Sequence, residues 1–109
     1  LDDPWLRASQ GYDHNLVLSG EEGPAAVMYC PRTGIRMELE TSLEGLQLYT
    51  AGFLSERQGK GGVLYGPRHA VCLETQHFPD AIHHPEFPSP VLQAGEVYRQ
   101  RTVYRFSRC

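Results

Sequence analysis

The sequence predicts an all-β protein built as part of an antiparallel β-sandwich, and two alternations carry that expectation. Ile35, Met37, Leu39 and Thr41 alternate with Arg36, Glu38 and Glu40, the period of two that a half-buried strand requires. Near the C-terminus Tyr98, Gln100, Thr102, Tyr104 and Phe106 alternate with Arg99, Arg101, Val103 and Arg105. A third observation is negative: no segment shows an apolar stripe at helical spacing. Short strands separated by turn residues point to sheets packed face to face.

Taken in chain order, residues 1–10 read as a lead-in. Gly11-Tyr12-Asp13-His14-Asn15 opens a strand at Leu16–Leu18. Asp13 and Asn15 suit a polar turn, bonding to nearby backbone; the other reading has Asp13 accepting hydrogen bonds from neighbouring sugar hydroxyls. Ala25–Cys30 and Ile35–Thr41 flank Pro31-Arg32-Thr33-Gly34, a turn signal that makes the two runs a hairpin. In the strand Leu46–Thr50, Gln47 and Tyr49 share one face and the two leucines the other, so Gln47 faces either solvent or a polar cleft. Residues 55–66 carry Gly59-Lys60-Gly61-Gly62, which lacks the Gly-Lys-Ser/Thr ending and following helix of a phosphate loop. This stretch is expected to be a flexible Gly-rich surface connection. Ala70–Gln76 is the next strand, and residues 83–90, with three prolines, read as a rigid Pro-rich loop. Arg99, Arg101 and Arg105 share one face of the last strand, either as an anion site or, as arginines usually do, facing solvent.

Composition excludes several functions. A chain of 109 residues allows one small domain or a piece of a larger one, and its net charge of -3 argues against binding a nucleic-acid backbone. No apolar run is long enough to cross a bilayer, and LDDPWLRASQ is not a signal peptide. Cys30, Cys72 and Cys109 form an odd, widely spaced set; two lie in apolar runs, where reduced buried thiols are expected, and a cytoplasmic setting fits. His77, Asp80, His83 and His84 are zinc-type ligands, but their spacing matches no closed site and prolines split the cluster, so no metal is expected. No Ser-His-Asp set can be read, and Cys109 at the chain end is a poor nucleophile.

The stretch Val71–Ala81 carries the chemistry. An apolar strand runs into Glu74 and then into a polar turn, so the carboxylate is delivered to the lip of a loop from a rigid element. Proton transfer needs a group held within hydrogen-bond reach of the reacting atom, and partial burial against the apolar strand would adapt Glu74 to that task. Read alone, Glu74 is favoured as an ordinary surface carboxylate, with the general base as the other reading.

GYDHN (11–15), LQLYTAGFL (46–54), LETQHFPDAIHHPEFPSPVL (73–92) and GEVYRQRTVYRFS (95–107) occur in that order. Together these blocks resemble the C-terminal portion of the galactose mutarotase (aldose 1-epimerase) family. The resemblance implies a galactose mutarotase-like supersandwich, present as a C-terminal fragment of a single domain over residues 1–109. It implies interconversion of the α and β anomers of a hexose such as galactose or glucose. Glu74 matches the family's general base, and Asp13 and Gln47 match residues that contact the sugar. No cofactor is implied, since no redox change occurs. The family's histidine acid, a second histidine and a sugar-holding arginine lie in its N-terminal part, and His14, His69, His77, His83 and His84 match none of these motifs. The implied partner is therefore that N-terminal part or a complementing chain, and the 109 residues alone are expected to be inactive and unstable or self-associating.

Two other readings compete. A catalytically silent sugar-binding or regulatory protein would keep Asp13 and Gln47 without the acid. A glycoside-cleaving relative would need two carboxylates, for which Glu74 and Asp80 are the close pair in sequence.

Overall fold

The structure, a computed structural model, describes residues 3–108. It contains one short helix, α1 (Pro4–Ala8), and the strands β1 (Asp13–Val17), β2 (Ala26–Cys30), β3 (Ile35–Thr41), β4 (Gly45–Tyr49), β5 (Arg57–Gln58), β6 (Leu64–Tyr65), β7 (Cys72–Gln76) and β8 (Thr102–Arg108). They assemble as two three-stranded sheets, β1-β4-β7 and β2-β3-β8, and a ribbon β5-β6. The all-β expectation holds. The chain divides into two compact units, one of residues up to Leu16 with Leu46–Glu74, the other Val17–Gly45 with Thr75 onward.

In the first unit, α1 is absent from the sequence reading because five residues give no room for an apolar stripe. Its signal is instead the pair Asp3-Pro4. The Asp3 Oδ1 accepts from the N–H groups of Trp5 (2.8 Å) and Leu6 (3.2 Å), and Pro4 occupies the first helical turn, where no N–H is missed. Asp13-His14-Asn15, which suit a turn, belong to strand β1. The neighbouring β4 overrides local preference: Thr50 N–H donates to the Tyr12 carbonyl at 2.9 Å, and Tyr12 N–H to Thr50 Oγ1 at 2.9 Å. Gly11 permits this approach, since a Cβ there would lie 2.4 Å from Thr50 Oγ1 and its φ is +139°. Residues 55–66 are less irregular than expected. Arg57 pairs with Tyr65 and Gln58 with Leu64, closing a small ribbon around a 3-10 turn at Lys60–Gly62.

In the second unit, β2, β3 and β8 form an antiparallel meander. The hairpin expected at residues 31–34 is present: Cys30 pairs with Ile35, and Gly34 N–H donates to the Cys30 carbonyl at 2.8 Å with φ of +71° at Gly34. Leu39, in register with Ala26 and Tyr104, is fully buried. The last strand begins later than its alternation suggests. Arg101 N–H is taken by Ser42 Oγ at 2.9 Å and the Arg101 carbonyl by Ser42 N–H at 3.0 Å, so a side chain ends the ladder and residues 98–101 lie outside the strand. The arginine face is no anion site at Arg105, whose guanidinium pairs with Glu40. Residues 83–90 follow a 3-10 turn at Ala81–His83, and Phe87 packs edge-on against Phe78 with ring centroids 5.1 Å apart.

The thiols depart from expectation. Cys30 is exposed and Cys72 only half-buried, the former because it ends the edge strand β2 beside its turn; Cys109 lies outside the described residues. Thr33's hydrogen bond to the Cys30 thiol, ahead of its backbone N–H, lowers that group's pKa. Among the described residues the buried apolar side chains are Leu39, Leu46, Ala51 and Ala81, while Trp5, Val17 and Phe106 remain largely exposed. So short a chain has too little interior to cover its apolar surface. No helix of the described residues is long and apolar enough to cross a membrane.

Candidate functional site

Sheet β1-β4-β7 carries one candidate residue on each strand, with β4 in the middle. Leu46 is buried at 1% exposure, so period-two alternation turns the next residue, Gln47, to the opposite face. There its Nε2 donates to Asp13 Oδ1 on the adjacent strand at 2.8 Å. The bond turns the Gln47 amide nitrogen toward the carboxylate. Asp13 is exposed, and its backbone N–H donates to His14 Nδ1 at 3.0 Å. The structure thus brings Asp13 and Gln47 into direct contact, a pairing that residue types alone do not reveal.

Glu74 stands on β7, beside β4 in the same sheet, and is exposed. The partial burial expected of it is absent, because the neighbours on its own strand, Leu73 and Thr75, alternate to the other face. The three strands of this sheet thus carry two carboxylates and an amide, of which Asp13 and Gln47 are in direct contact.

The histidines have other occupations. His77 Nδ1 meets Glu44 Oε1 at 2.9 Å and its Nε2 meets Tyr98 Oη at 3.3 Å. His83 Nδ1 lies 2.5 Å from Asp80 Oδ1, His84 Nε2 lies 3.7 Å from Asp80 Oδ2, and His84 Nδ1 lies 3.2 Å from Glu86 Oε1. The Glu86 carboxyl is held below its ordinary range by its own backbone N–H and then by His84. Among the described residues no three His, Cys, Asp or Glu side chains are grouped so as to hold a metal ion. An open cleft of about 650 Å³ lies elsewhere in the first unit, lined by Gly11, Tyr12, Thr50, Arg68, His69 and Val71, and contains none of the three candidates.

Comparison with known proteins decides what this sheet belongs to. The aldose 1-epimerase family model matches residues 2–105. The chain belongs to the aldose 1-epimerase family. It is similar to the galactose mutarotase of Homo sapiens, at 39% identity over 89% of this chain and 29% of that protein. It is also similar to the aldose 1-epimerase of Haemophilus influenzae, at 32% identity over 92% of this chain and 30% of the relative. A crystal structure of a GalM/aldose epimerase homologue from C. elegans superposes with a TM-score of 0.82 at 30% identity, covering 89% of this chain and 30% of that one. This chain therefore spans about 30% of the length of these aldose 1-epimerase relatives. The family resemblance carried by its four sequence blocks is confirmed, and with it the β-sheet architecture.

Proposed function

We propose that this chain supplies the general base and part of the sugar-binding face of an aldose 1-epimerase acting on a hexose such as galactose or glucose. The observation that carries the reading is the Gln47–Asp13 hydrogen bond of 2.8 Å on two strands of the sheet whose third strand bears Glu74. Family membership supports it independently. In this reading Asp13 and the Gln47 amide oxygen accept hydrogen bonds from sugar hydroxyls and hold the pyranose. Glu74 takes the proton of the anomeric hydroxyl while an acid protonates the ring oxygen. The C1–O5 bond breaks, giving the open-chain aldehyde, and rotation about C1–C2 presents its other face. Closure reverses the two proton transfers and yields the other anomer. No electrons change hands, so the proton inventory is the whole of the chemistry.

The acid and the remaining sugar contacts belong to the rest of the family fold, which is the partner this chain requires. A cytoplasmic setting completes the proposal, in keeping with cysteines left unpaired at Cys30 and Cys72.

The test is polarimetry of α-D-galactose with the full-length protein and its Glu74→Gln variant. Removing a general base lowers turnover by about 10²- to 10⁴-fold, while sugar binding measured by calorimetry persists. Undiminished turnover in the variant would falsify the role of Glu74. The sugar-binding alternative predicts a parent protein that binds galactose without accelerating mutarotation.

A further inference from the structure

Two side-chain networks in the second unit converge on the residues that directly follow Glu74 in the chain. The first is centred on Thr102. Its Oγ1 lies 2.7 Å from Thr75 Oγ1, 3.2 Å from Thr41 Oγ1 and donates to Gln100 Oε1 at 3.3 Å. Donor and acceptor roles close without conflict. Thr102 gives its one proton to Gln100 and so accepts from both Thr75 and Thr41, while Thr41 Oγ1 in turn accepts from Leu43 N–H at 3.1 Å. Thr41 and Thr102 are register partners of β3 and β8, so the hub is seated in the ladder of a three-stranded sheet.

The second network is the chain Glu44–His77–Tyr98. Glu44 can only accept when ionised, so Nδ1 of His77 carries the proton and Nε2 meets the Tyr98 hydroxyl. Both ring nitrogens are engaged, and His77 and Glu44 are half-buried, with side chains 30% and 24% exposed. The imidazole is thereby locked in orientation by groups 33 and 21 residues away in sequence.

Thr75 and His77 are the first and third residues after Glu74. Thr75 alternates to the opposite face of the strand from Glu74, which leaves the carboxylate's own face clear of the anchors. An exposed carboxylate held by backbone alone keeps its place only if the strand does. We infer that Thr75, Thr102 and His77 are positioning residues for Glu74, fixing the end of β7 so that the carboxylate stays within reach of the anomeric hydroxyl. They touch neither sugar nor reacting atoms. This inference rests on the assignment of Glu74 as base. It goes beyond that assignment in naming side chains that act on catalysis through the backbone.

The experiment uses the full-length protein. Thr102→Val keeps the shape and removes the hub; it lowers kcat for galactose mutarotation by about tenfold with KM little changed, and Thr102→Ser restores it. Tyr98→Phe removes one hydroxyl from an exposed ring and so leaves folding intact; it lowers kcat by about threefold, with faster amide exchange at residues 75–77. Parental kcat in folded Thr102→Val and in Tyr98→Phe overturns the inference. A fall in stability with parental kcat per folded molecule also overturns it, since that is what a purely structural role gives. Glu74→Gln is run beside them: if it abolishes turnover while the two variants do not, the base assignment stands and the positioning role alone fails. If Glu74→Gln keeps parental turnover, both fall together.

Discussion

The two sheets have the same number of strands and opposite uses of their polar side chains. In β1-β4-β7 the polar groups bond to one another and remain open to solvent: Gln47 holds Asp13, and Glu74 is exposed. In β2-β3-β8 they neutralise one another across and along the ladder, as Arg105 with Glu40 and Arg36 with Glu38, the latter at 2.6 Å. The first sheet spends its side chains on presenting acceptors, the second on fixing register. Left-handed φ at non-glycine residues, which surrounding structure must impose, occurs in both units, at Gln10, Ala51 and Arg68 in the first and at Asp80 in the second. The antiparallel meander of the second achieves its turn between β2 and β3 with an ordinary glycine at Gly34. The two sheets thus deploy their polar side chains differently within the same short chain.

That difference can be probed by substitution. The largest effect belongs to the scaffold: Leu39→Ala in the full-length protein removes a fully buried side chain and costs about 2–5 kcal/mol, read as a lower denaturation midpoint. Turnover per folded molecule should be unchanged, and a kcat loss without destabilisation would contradict the division. Asp13→Ala is its counterpart. It should weaken galactose binding about tenfold, or ~1.4 kcal/mol, by deleting one acceptor and releasing Gln47, with the melting temperature nearly unmoved because Asp13 is exposed. The smallest effect is electrostatic. The Arg105 guanidinium, by its hydrogen bond to Glu40, holds that carboxyl below its ordinary range, and Glu40 raises the pKa of Arg105 in return. A carboxyl depressed in the folded state stabilises above its unfolded pKa and loses that contribution as pH falls through the folded value. Thermal melts of parent and Arg105→Gln should therefore differ at neutral pH and converge once the pH has fallen through the lowered folded value of Glu40, by a small amount, since the pair is solvent-screened.

Much of this was legible before any coordinates. Ile35–Thr41 coincides with β3 because both faces of that strand are constrained, one by the buried Leu39 and the other by charges paired across the ladder. Sequence reading failed where a side chain replaced backbone. Tyr98–Arg101 alternate like a strand, yet Ser42 takes the Arg101 N–H and ends the pairing. Asp13-His14-Asn15 have turn chemistry, yet β4 beside them makes a strand. The candidate site was legible as residues and opaque as geometry. Nothing in residue type says that Gln47 reaches Asp13 across 34 positions, or that His77, weighed as a metal ligand, is committed to Glu44. Long-range partners leave no local signature.

The Gln47–Asp13 bond has a consequence for how such sequences change over time. The amide donates to the carboxylate and the carboxylate accepts from the amide, so neither position varies freely while the other stays. Glutamate at 47 would set two acceptors against each other; asparagine at 13 would leave the direction of the amide undecided. Descendants of this chain that keep this hydrogen bond should inherit the two positions as a pair, and those that lose one should be released to lose the other.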